Sequence, residues 1–455
     1  MVEKKRNEES KHLIILWANV LLLATETAMF AAVWRWFYAA DFKRRYVPGE
    51  DWLLIGMYLF FLALFVRGLN AHRIGYLRIT EMWISQMIAA VLTSVVTYGE
   101  LCIAAGTYVN GLPLIGLDVA EGFLLLGWIY LARVLYLSLY PPQSMLVIYG
   151  EIYPGELIEK INLHRDAYHL CRSVGIGLGR ERLKKIILEA DAVILSDISD
   201  EVRNALIKFC YRRGIRVYVT PKISDLILRG AEDVQLFYTP LLLSRNRGLT
   251  VEQRFFKRIF DIVTALVGLL LASPLFLAAA LAVKLCDGGP VFYRQERLTR
   301  DGRPFYVIKF RSMRVDAERD GARMATKGDP RITPVGKFLR RFHLDELPQL
   351  LNVLRGEMSM VGPRPERREI AEKYEEQIPE FSCRLKVKAG LTGYAQVNGK
   401  YNSTPYDKLK LDITYIEQYS LWLDIKILLW TIRVLFQEEH AEEFSLESEA
   451  GEKMK

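Results

Sequence analysis

The 455-residue sequence has few of the residues from which disulfide frameworks and zinc sites are built. Its five cysteines are scattered, their number is odd, and no two form a Cys-x-x-Cys pair. Small secreted domains pair their cysteines, and structural zinc sites space them closely. The sequence therefore argues against both classes and is typical of reduced thiols that face a cytoplasm.

Nucleic-acid-binding motifs are also missing. The chain carries 61 Lys and Arg against 53 Asp and Glu, for a net charge of +8. No zinc-finger spacing, RNP-like motif or basic helix with interleaved aromatic residues accompanies this excess. Positive charge also suits an anionic lipid surface and phosphate-bearing substrates. We therefore expect lipid and phosphate partners and no nucleic acid.

Long hydrophobic runs are abundant. Four of them occupy residues 1–140, and about 20 apolar residues are needed to span a bilayer. They are His12–Trp34, Trp52–Val66, Met82–Val109 and Leu112–Tyr140. We predict a four-helix transmembrane bundle. Basic residues before the first run and between the second and third predict that both ends of the bundle face the cytoplasm, although Lys43, Arg44 and Arg45 argue for the opposite orientation.

Three carboxylates, Glu26, Glu100 and Glu121, lie within or near these runs. Buried carboxylates in a membrane can mark a proton or ion path, or they can pair between helices or lie near headgroups. We favour pairing or headgroup contact, because nothing else in the sequence indicates transport.

Residues 141–248 alternate short strands with helices, which predicts a small Rossmann-like α/β domain. The loop after its first strand, Gly150 to Gly155, lacks the complete glycine pattern that admits a pyrophosphate. A second glycine-rich run, Gly175 to Gly179, precedes a helix but does not directly follow a clear strand and lacks the motif's spacing. We interpret the domain as a degenerate nucleotide-binding scaffold or regulatory domain.

A fifth apolar run, Ile262–Leu285, carries Ser273 and Pro274 near its middle. Proline inside a helix removes a backbone hydrogen bond and kinks the axis. Hydrophobicity alone favours a kinked full span. A full span would, however, place everything after it outside the cell, whereas the domains on both sides of the run are typical of one compartment. We therefore predict a re-entrant helix that breaks at Ser273 and Pro274.

The region after this helix is strongly basic. Residues 306–311 alternate like a strand, and period two would place Lys309 and Arg311 on one face. Two cations on one face suit a diphosphate, although a basic run is often only a solvated surface.

Two adjacent carboxylates, Asp345 and Glu346, precede Pro348, which predicts that a helix begins near Asp345–Leu347 and ends at Gly356. Neighbouring helical residues point about 100° apart, so one carboxylate can attack phosphorus while the other holds Mg²⁺. Ordinary helix N-terminal charge is the alternative. Further on, Arg364 stands between Pro363 and Pro365, which stiffen the backbone around its guanidinium.

Five blocks in a fixed order make residues 290–432 resemble the catalytic domain of the bacterial sugar transferases, the polyprenyl-phosphate phosphoglycosyltransferases. The blocks are Lys309-Phe310-Arg311-Ser312-Met313, Asp329-Pro330-Arg331-Ile332-Thr333, Leu344-Asp345-Glu346-Leu347-Pro348-Gln349, Val361-Gly362-Pro363-Arg364-Pro365-Glu366, and Gly390-Leu391-Thr392-Gly393-Tyr394-Ala395-Gln396-Val397-Asn398-Gly399. The front half resembles the family's large members in layout. Ala389 departs from the pattern, since the family usually has proline there.

The resemblance implies that Asp345 is a nucleophile that attacks the β-phosphate of a UDP-sugar and expels UMP. A polyprenyl phosphate then takes the phosphosugar from the enzyme in a ping-pong reaction. Glu346 matches the partner that binds Mg²⁺, and Arg340 and Arg364 match phosphate-binding positions. The family also implies a re-entrant helix, an active site at the cytoplasmic face of the bacterial inner membrane, and a homodimer.

The expected organisation is therefore a transmembrane bundle (1–140), an α/β domain (141–248), a re-entrant helix with the catalytic α/β domain (249–436) and an acidic disordered tail (437–455). The helix over 421–433 is expected to lie in the membrane interface or in the core. A catalytically silent scaffold for polysaccharide assembly is the main alternative, and the intact Asp345 and Glu346 pair argues against it. An oxidoreductase that uses the α/β domain is a third hypothesis, which the incomplete glycine loop disfavours.

Overall fold

The computed structural model describes residues 2–39, 51–74, 79–140, 142–162, 168–236, 238–244, 248–314, 329–399 and 404–435, with side chains from residue 13 onward except that of residue 160. The acidic tail lies outside this range. The chain divides into two compact units, Met1–Thr220 and Pro221–Lys455, and each is described by itself.

The first unit begins with four long helices. They are α1 (Val2–Val33, extended by a π-helical turn over Trp34–Tyr38), α2 (Asp51–Gly68), α3 (Ile79–Ala105) and α4 (Leu112–Leu139). All four are long and apolar enough to cross a membrane. Each coincides with a predicted run, because a continuous apolar stretch of this length satisfies its backbone groups only as a helix.

Two pairs of polar side chains form hydrogen bonds between helices of the bundle. The Tyr58 hydroxyl donates to Glu121 Oε1 at 2.8 Å, and its ring stacks on Phe30 with centroids 4.2 Å apart. Ser94 donates to Asp118 at 2.7 Å. Glu121 therefore pairs between helices, as we favoured from the sequence.

The α/β domain follows, with elements β1 (Gln143–Tyr149), α5 (Gly155–Asn162), β2 (Tyr168–Gly175), α6 (Arg180–Ile187), β3 (Ala192–Ser196), α7 (Asp200–Arg213) and β4 (Arg216–Val219). The four strands form one parallel sheet in the order β2-β1-β3-β4. Apolar side chains of β1 and β3 are buried against α6 and α7. This confirms the predicted Rossmann-like arrangement.

Strand β2 corrects the sequence analysis. The glycine-rich run was expected not to follow a clear strand, yet β2 ends at Gly175, its first glycine. The sequence did not predict this strand, because its apolar and polar residues do not alternate regularly. Its outer edge is unpaired, so several of its side chains are exposed polar groups.

The second unit begins within the segment that was assigned to the α/β domain. Helix α8 (Ile223–Arg229) buries Ile223 and Leu226 against Leu409 and Ile413 of the catalytic domain, and a hairpin of β5 (Glu232–Leu236) and β6 (Thr239–Leu243) follows.

Helix α9 (Val251–Asp287) is 37 residues long and continues through Ser273 and Pro274, so the break predicted there is absent. The helix begins at a capping box formed by Thr250 and Gln253, and it ends before Gly288, which has a φ of 70°. The Ser273 hydroxyl donates to the carbonyl of Leu270 at 2.8 Å. Pro274 has no N–H to donate to that carbonyl, so Ser273 satisfies the acceptor that the proline leaves open.

The catalytic domain packs around α9. Its elements are β7 (Phe292–Leu298), β8 (Pro304–Phe310), α10 (Pro334–Arg341), α11 (Gln349–Arg355), β9 (Ser359–Val361), α12 (Arg368–Gln377), β10 (Gly390–Thr392), α13 (Tyr394–Asn398), α14 (Pro405–Glu417) and α15 (Leu421–Leu435). Strands β7 and β8 are antiparallel, and β9 pairs in parallel with β10.

Candidate active site

Asp345 and Glu346 lie in a 3₁₀ turn, Leu344–Glu346, between α10 and α11. The turn follows His343, which has a left-handed φ of 53°. Helix α11 begins at Gln349 and ends before Gly356. The predicted helix start is therefore about one turn too early, because the left-handed residue redirects the chain and the first turn is tighter than an α-helix. Asp345 and Glu346 are both buried.

Glu346 is held by two cations. Its Oε1 accepts from Lys309 Nζ at 2.7 Å and from Arg364 Nη2 at 3.1 Å. Burial alone would raise the pKa of Glu346, but the charges of Lys309 and Arg364 outweigh it and hold the pKa far below its usual range. Glu346 is therefore a fixed anion in this site.

Asp345 is in the opposite situation. It is 4% exposed, and its Oδ1 has no hydrogen-bond partner among the described residues. Burial raises the pKa of Asp345, and the neighbouring charge of Glu346 raises it further against the opposing pull of Lys309 and Arg340. A buried carboxylate oxygen without a donor is costly to the fold and is a common feature of functional sites.

Lys309 and Arg311 do not act on the same group. Lys309, in β8, binds Glu346, whereas Arg311 follows the last residue of β8 and binds the Asp287 carboxylate at the end of α9. The expectation that both converge on one diphosphate is not met in this arrangement. Arg311 instead links the end of α9 to β8.

Arg340 lies near the carboxylate pair and donates through Nε to the Ser312 hydroxyl at 2.8 Å. Its charge also acts on Asp345. The turn before it is close-packed, since a Cβ at Gly336 would collide with the Ser312 carbonyl. Of the four predicted phosphate-binding residues, Lys309, Arg340 and Arg364 thus surround the carboxylates, and Arg311 is turned elsewhere.

Arg364 is fixed by its backbone. Its carbonyl accepts from Arg384 Nη2 at 2.9 Å, and the Pro363 carbonyl accepts from Gly390 N at 2.9 Å. Arg384 also pairs with buried Asp412 at 2.8 Å. The Arg364 side chain is 43% exposed, so its guanidinium remains accessible while its backbone is held. Sequence reasoning found Arg364 but not Arg384.

Asn352 is a second residue that sequence reasoning missed. Its Oδ1 accepts from Ile308 N at 3.0 Å, and its Nδ2 donates to the Tyr306 carbonyl at 2.8 Å and to Glu357. The side chain is fully buried in α11, and both backbone partners lie in β8. It therefore fixes the strand that carries Lys309 against the helix that follows Glu346. Asn352 lies three residues beyond the third block, and nothing in the hydrophobic pattern indicates this role.

Ala389, the departure from the family pattern, also makes a specific contact. Its backbone N–H donates to the Thr299 hydroxyl at 3.2 Å, and that hydroxyl donates to the Glu357 carbonyl at 3.0 Å. Proline could not make the first bond, so alanine here adds a hydrogen bond rather than only loosening a loop.

The carboxylates fit a magnesium ion only with help from substrate. Among the described residues, no three His, Cys, Asp or Glu side chains are grouped closely enough to hold a metal. Mg²⁺ is commonly held by one or two carboxylates together with substrate phosphates and water. Glu346, which its cationic neighbours hold ionised, can supply one such carboxylate.

Comparison with known proteins agrees with this geometry. A profile described as bacterial sugar transferase matches residues 252–438, which include every residue of the site. A UDP-glucose:undecaprenyl-phosphate glucose-1-phosphate transferase of Caulobacter vibrioides is 43% identical over 190 residues, or 41% of this chain and 71% of that protein. The chain belongs to the bacterial sugar transferase family.

Other curated relatives match over 40–50% of the chain. A UDP-glucose:undecaprenyl-phosphate glucose-1-phosphate transferase of Xanthomonas campestris pv. campestris is 43% identical over 50% of this chain and 49% of its own length. A UDP-N-acetylgalactosamine-undecaprenyl-phosphate N-acetylgalactosaminephosphotransferase of Aeromonas hydrophila is 44% identical over 40% of this chain and 44% of its own length. The chain thus spans about half the length of these relatives, and their printed sugars differ.

Proposed function

We propose that this protein transfers a sugar 1-phosphate, a hexose 1-phosphate, from a UDP-sugar to undecaprenyl phosphate and releases UMP. One observation carries the proposal: a buried carboxylate with an open oxygen, Asp345, lies beside a second carboxylate that two cations hold ionised. The printed names of the relatives support the same reaction class. Such a transfer would be the first membrane step in the synthesis of a surface polysaccharide.

In the proposed first step, Asp345 Oδ1 attacks the β-phosphorus of the UDP-sugar. A bond forms between Asp345 and phosphorus, the bond from phosphorus to the bridging oxygen breaks, and UMP leaves with the electron pair. The neutralising charges come from Arg340 and Arg364 at the phosphate oxygens. Splitting the transfer through a carboxylate nucleophile replaces one difficult step by two easier ones.

In the second step, a phosphate oxygen of undecaprenyl phosphate attacks the same phosphorus. The bond between Asp345 and phosphorus breaks, which restores the carboxylate and gives undecaprenyl diphosphate sugar. The raised pKa of Asp345 favours the first step rather than this one, because a carboxylate that its surroundings stabilise poorly is the stronger nucleophile.

Glu346 would hold Mg²⁺ while Asp345 remains available for attack. The ion would neutralise charge that develops on the phosphate oxygens. Lys309 and Arg364 both form ion pairs with Glu346 Oε1, and these pairs keep the carboxylate ionised and fix its position in the site.

The proposed location of the site is the cytoplasmic face of the membrane, and α9 supports it. In its first half, Arg258 donates to the carbonyls of Val353 and Leu354. In its second half, Ala279 and Val283 pack with Phe310 and Leu339. Both halves thus contact one catalytic domain. A spanning helix would separate these contacts by a hydrocarbon core about 30 Å thick, so we infer that α9 enters and leaves at one face.

The test is to incubate purified protein with Mg²⁺ and UDP-glucose, UDP-galactose or an N-acetylhexosamine derivative, without lipid acceptor. One equivalent of UMP and an intact mass increased by one phosphosugar, both absent in Asp345→Asn, are expected. If no UDP-sugar releases UMP even after undecaprenyl phosphate is added, the protein is a scaffold rather than a transferase.

A further inference from the structure

A cavity of about 510 Å³ lies in the α/β domain, outside the catalytic unit. It is bounded by strand β2 on one side and by helix α6 on the other. Cavities that bind small molecules commonly measure about 300–1,000 Å³. The cavity is therefore large enough for a metabolite.

Among the described residues, three cationic side chains and no acidic ones line this cavity. They are Arg172 from β2 and Arg182 and Lys185 from α6. The side chains of Arg172 and Arg182 make no ion pair or hydrogen bond with the described residues. The Lys185 side chain interacts with Glu181 only through longer-range charge attraction. By contrast, Arg180 and Lys184 of the same helix pair with Glu201 and Glu181, each at 2.6 Å. Helix α6 thus neutralises the cations that face away from the cavity and leaves those inside uncompensated.

The backbone of β2 reinforces this concentration of positive charge. A register shift relative to β1 makes Cys171 an extra residue, directly before Arg172. Such bulges redirect side chains and occur often beside functional sites. The strand is also an edge strand, so the N–H groups on its outer side have no partner in the sheet.

The rest of the lining is small or apolar. Gly175 ends β2, and Val174, Leu178 and Ile186 supply apolar surface. At Gly177 and Gly179 an added Cβ would meet nothing within 4 Å, so the loop backbone is open to an approaching group. A cavity with cations at one part and aliphatic side chains at another suits a ligand that is both anionic and partly flat and apolar.

We propose that this cavity binds a nucleoside diphosphate, with the phosphates on Arg172, Arg182 and Lys185 and the base against Leu178 and Ile186. The site is separate from the catalytic carboxylates and does not depend on the proposed transfer reaction. The missing glycine pattern after β1 excludes the usual dinucleotide loop, but it does not bear on a site at the outer edge of β2.

The test uses the full-length protein in nanodiscs and measures ADP binding by isothermal titration calorimetry. The triple variant R172Q/R182Q/K185Q is compared with the control R180Q/K184Q, which removes paired cations from the same helix. All five side chains lie on the surface or at the cavity, so we expect every variant to fold. Gel filtration and transferase activity check this. R364A reports binding at the catalytic site.

We expect the triple variant to weaken ADP binding by roughly tenfold or more, since hydrogen bonds to charged groups are strong, and the control and R364A to leave it within about twofold. Inorganic pyrophosphate is expected to bind more weakly than ADP. Equal binding of pyrophosphate and ADP would overturn the nucleoside assignment. No saturable binding, equal loss in the triple variant and the control, or loss only in R364A would overturn the site. So would a triple variant that changes oligomeric state without any ADP effect, since the surface would then contact a second copy.

Discussion

At the scale of single residues, the site sets two adjacent carboxylates in opposite electrostatic states. Glu346 accepts hydrogen bonds from two cations, whereas Asp345 has an oxygen without a donor. We therefore propose that the stabilised anion, Glu346, binds Mg²⁺ and that the poorly stabilised one, Asp345, is the nucleophile. These charge states predict opposite effects on stability when either carboxylate is neutralised, and they predict a pH dependence of activity that reports Asp345.

Neutralising each carboxylate in turn should move stability in opposite directions. The pKa of Asp345 is raised, so its ionised form costs the folded state free energy at neutral pH, and Asp345→Asn should raise the melting temperature while abolishing transfer. The pKa of Glu346 is lowered, so its charge stabilises the fold, and Glu346→Gln should cost about 1–3 kcal/mol. Thermal unfolding measures both. A melting temperature that falls equally in the two variants would contradict the assigned charge states.

The pH dependence of UMP release should report Asp345. Attack requires the carboxylate, so activity should fall as the pH drops through the raised pKa of Asp345, above the usual range of an aspartate. The Arg340 charge opposes this rise, so Arg340→Gln should move the acid limb of kcat/KM to still higher pH.

Arg341→Gln is the matched control for that measurement. Arg341 is the exposed neighbour in the same helix and is not among the charges that act on Asp345. The acid limb of the kcat/KM profile of the Arg341→Gln variant should coincide with that of the wild type. Identical limbs in all three proteins would mean that another group titrates.

At the scale of elements, the site depends on short segments whose positions are set by single buried contacts. Asn352 joins α11 to β8, and Gly336 allows α10 to approach the backbone of Ser312. Neither contact can be read from a hydrophobic pattern. Each is long-range in sequence but local in space.

Gly336→Ala should therefore damage both the fold and the site. A Cβ at this position would collide with the Ser312 carbonyl, and the resulting shift of α10 would displace Arg340. We expect a loss of about 1–3 kcal/mol and reduced activity, measured by denaturant unfolding and UMP release. Gly268→Ala is the control, since its Cβ would make ordinary contact with Leu350. If Gly336→Ala and Gly268→Ala both had equally small effects, α10 would not lie tightly against the backbone of Ser312.

The elements also show what the sequence could and could not predict. The apolar helices and the strands β1 and β3 follow from long or continuous hydrophobic runs. Asp345, Glu346, Lys309 and Arg364 lie in the five blocks, and Arg340 was predicted from the family resemblance. Strand β2 was missed because it lies at a sheet edge with a bulge and exposed polar residues. Arg311 was misplaced because its partner, Asp287, lies in a preceding helix, and period two describes one strand only.

At the scale of the whole molecule, the described part of the chain contains five helices that are long and apolar enough to cross a membrane, yet only four are proposed to do so. The fifth, α9, exposes Leu270 and Leu271 at its middle. Both halves of α9 contact the catalytic domain. Its apolar middle would lie in lipid while both ends remain at one surface.

Cysteine labelling tests this topology. Cys286 near the end of α9 is exposed, and Glu252→Cys places a second thiol near its start. In variants with one of these thiols alone, an impermeant maleimide should label neither in intact spheroplasts and both in inverted vesicles. Thr107→Cys, in the loop between α3 and α4, should show the reverse pattern. Labelling of Cys286 but not of residue 252 in spheroplasts would establish a full span.

The Lys257–Asp424 ion pair bears on how this protein reaches its membrane. Lys257 lies near the start of α9, is 5% exposed, and binds Asp424 of α15 at 2.6 Å, 167 residues further along the chain. During synthesis, α9 leaves the ribosome long before its counter-ion exists, and a lone buried charge is costly. The start of α9 can therefore reach its final buried position only after translation has passed Asp424, so we expect the last step in placing α9 at the membrane to be coupled to folding of the catalytic domain.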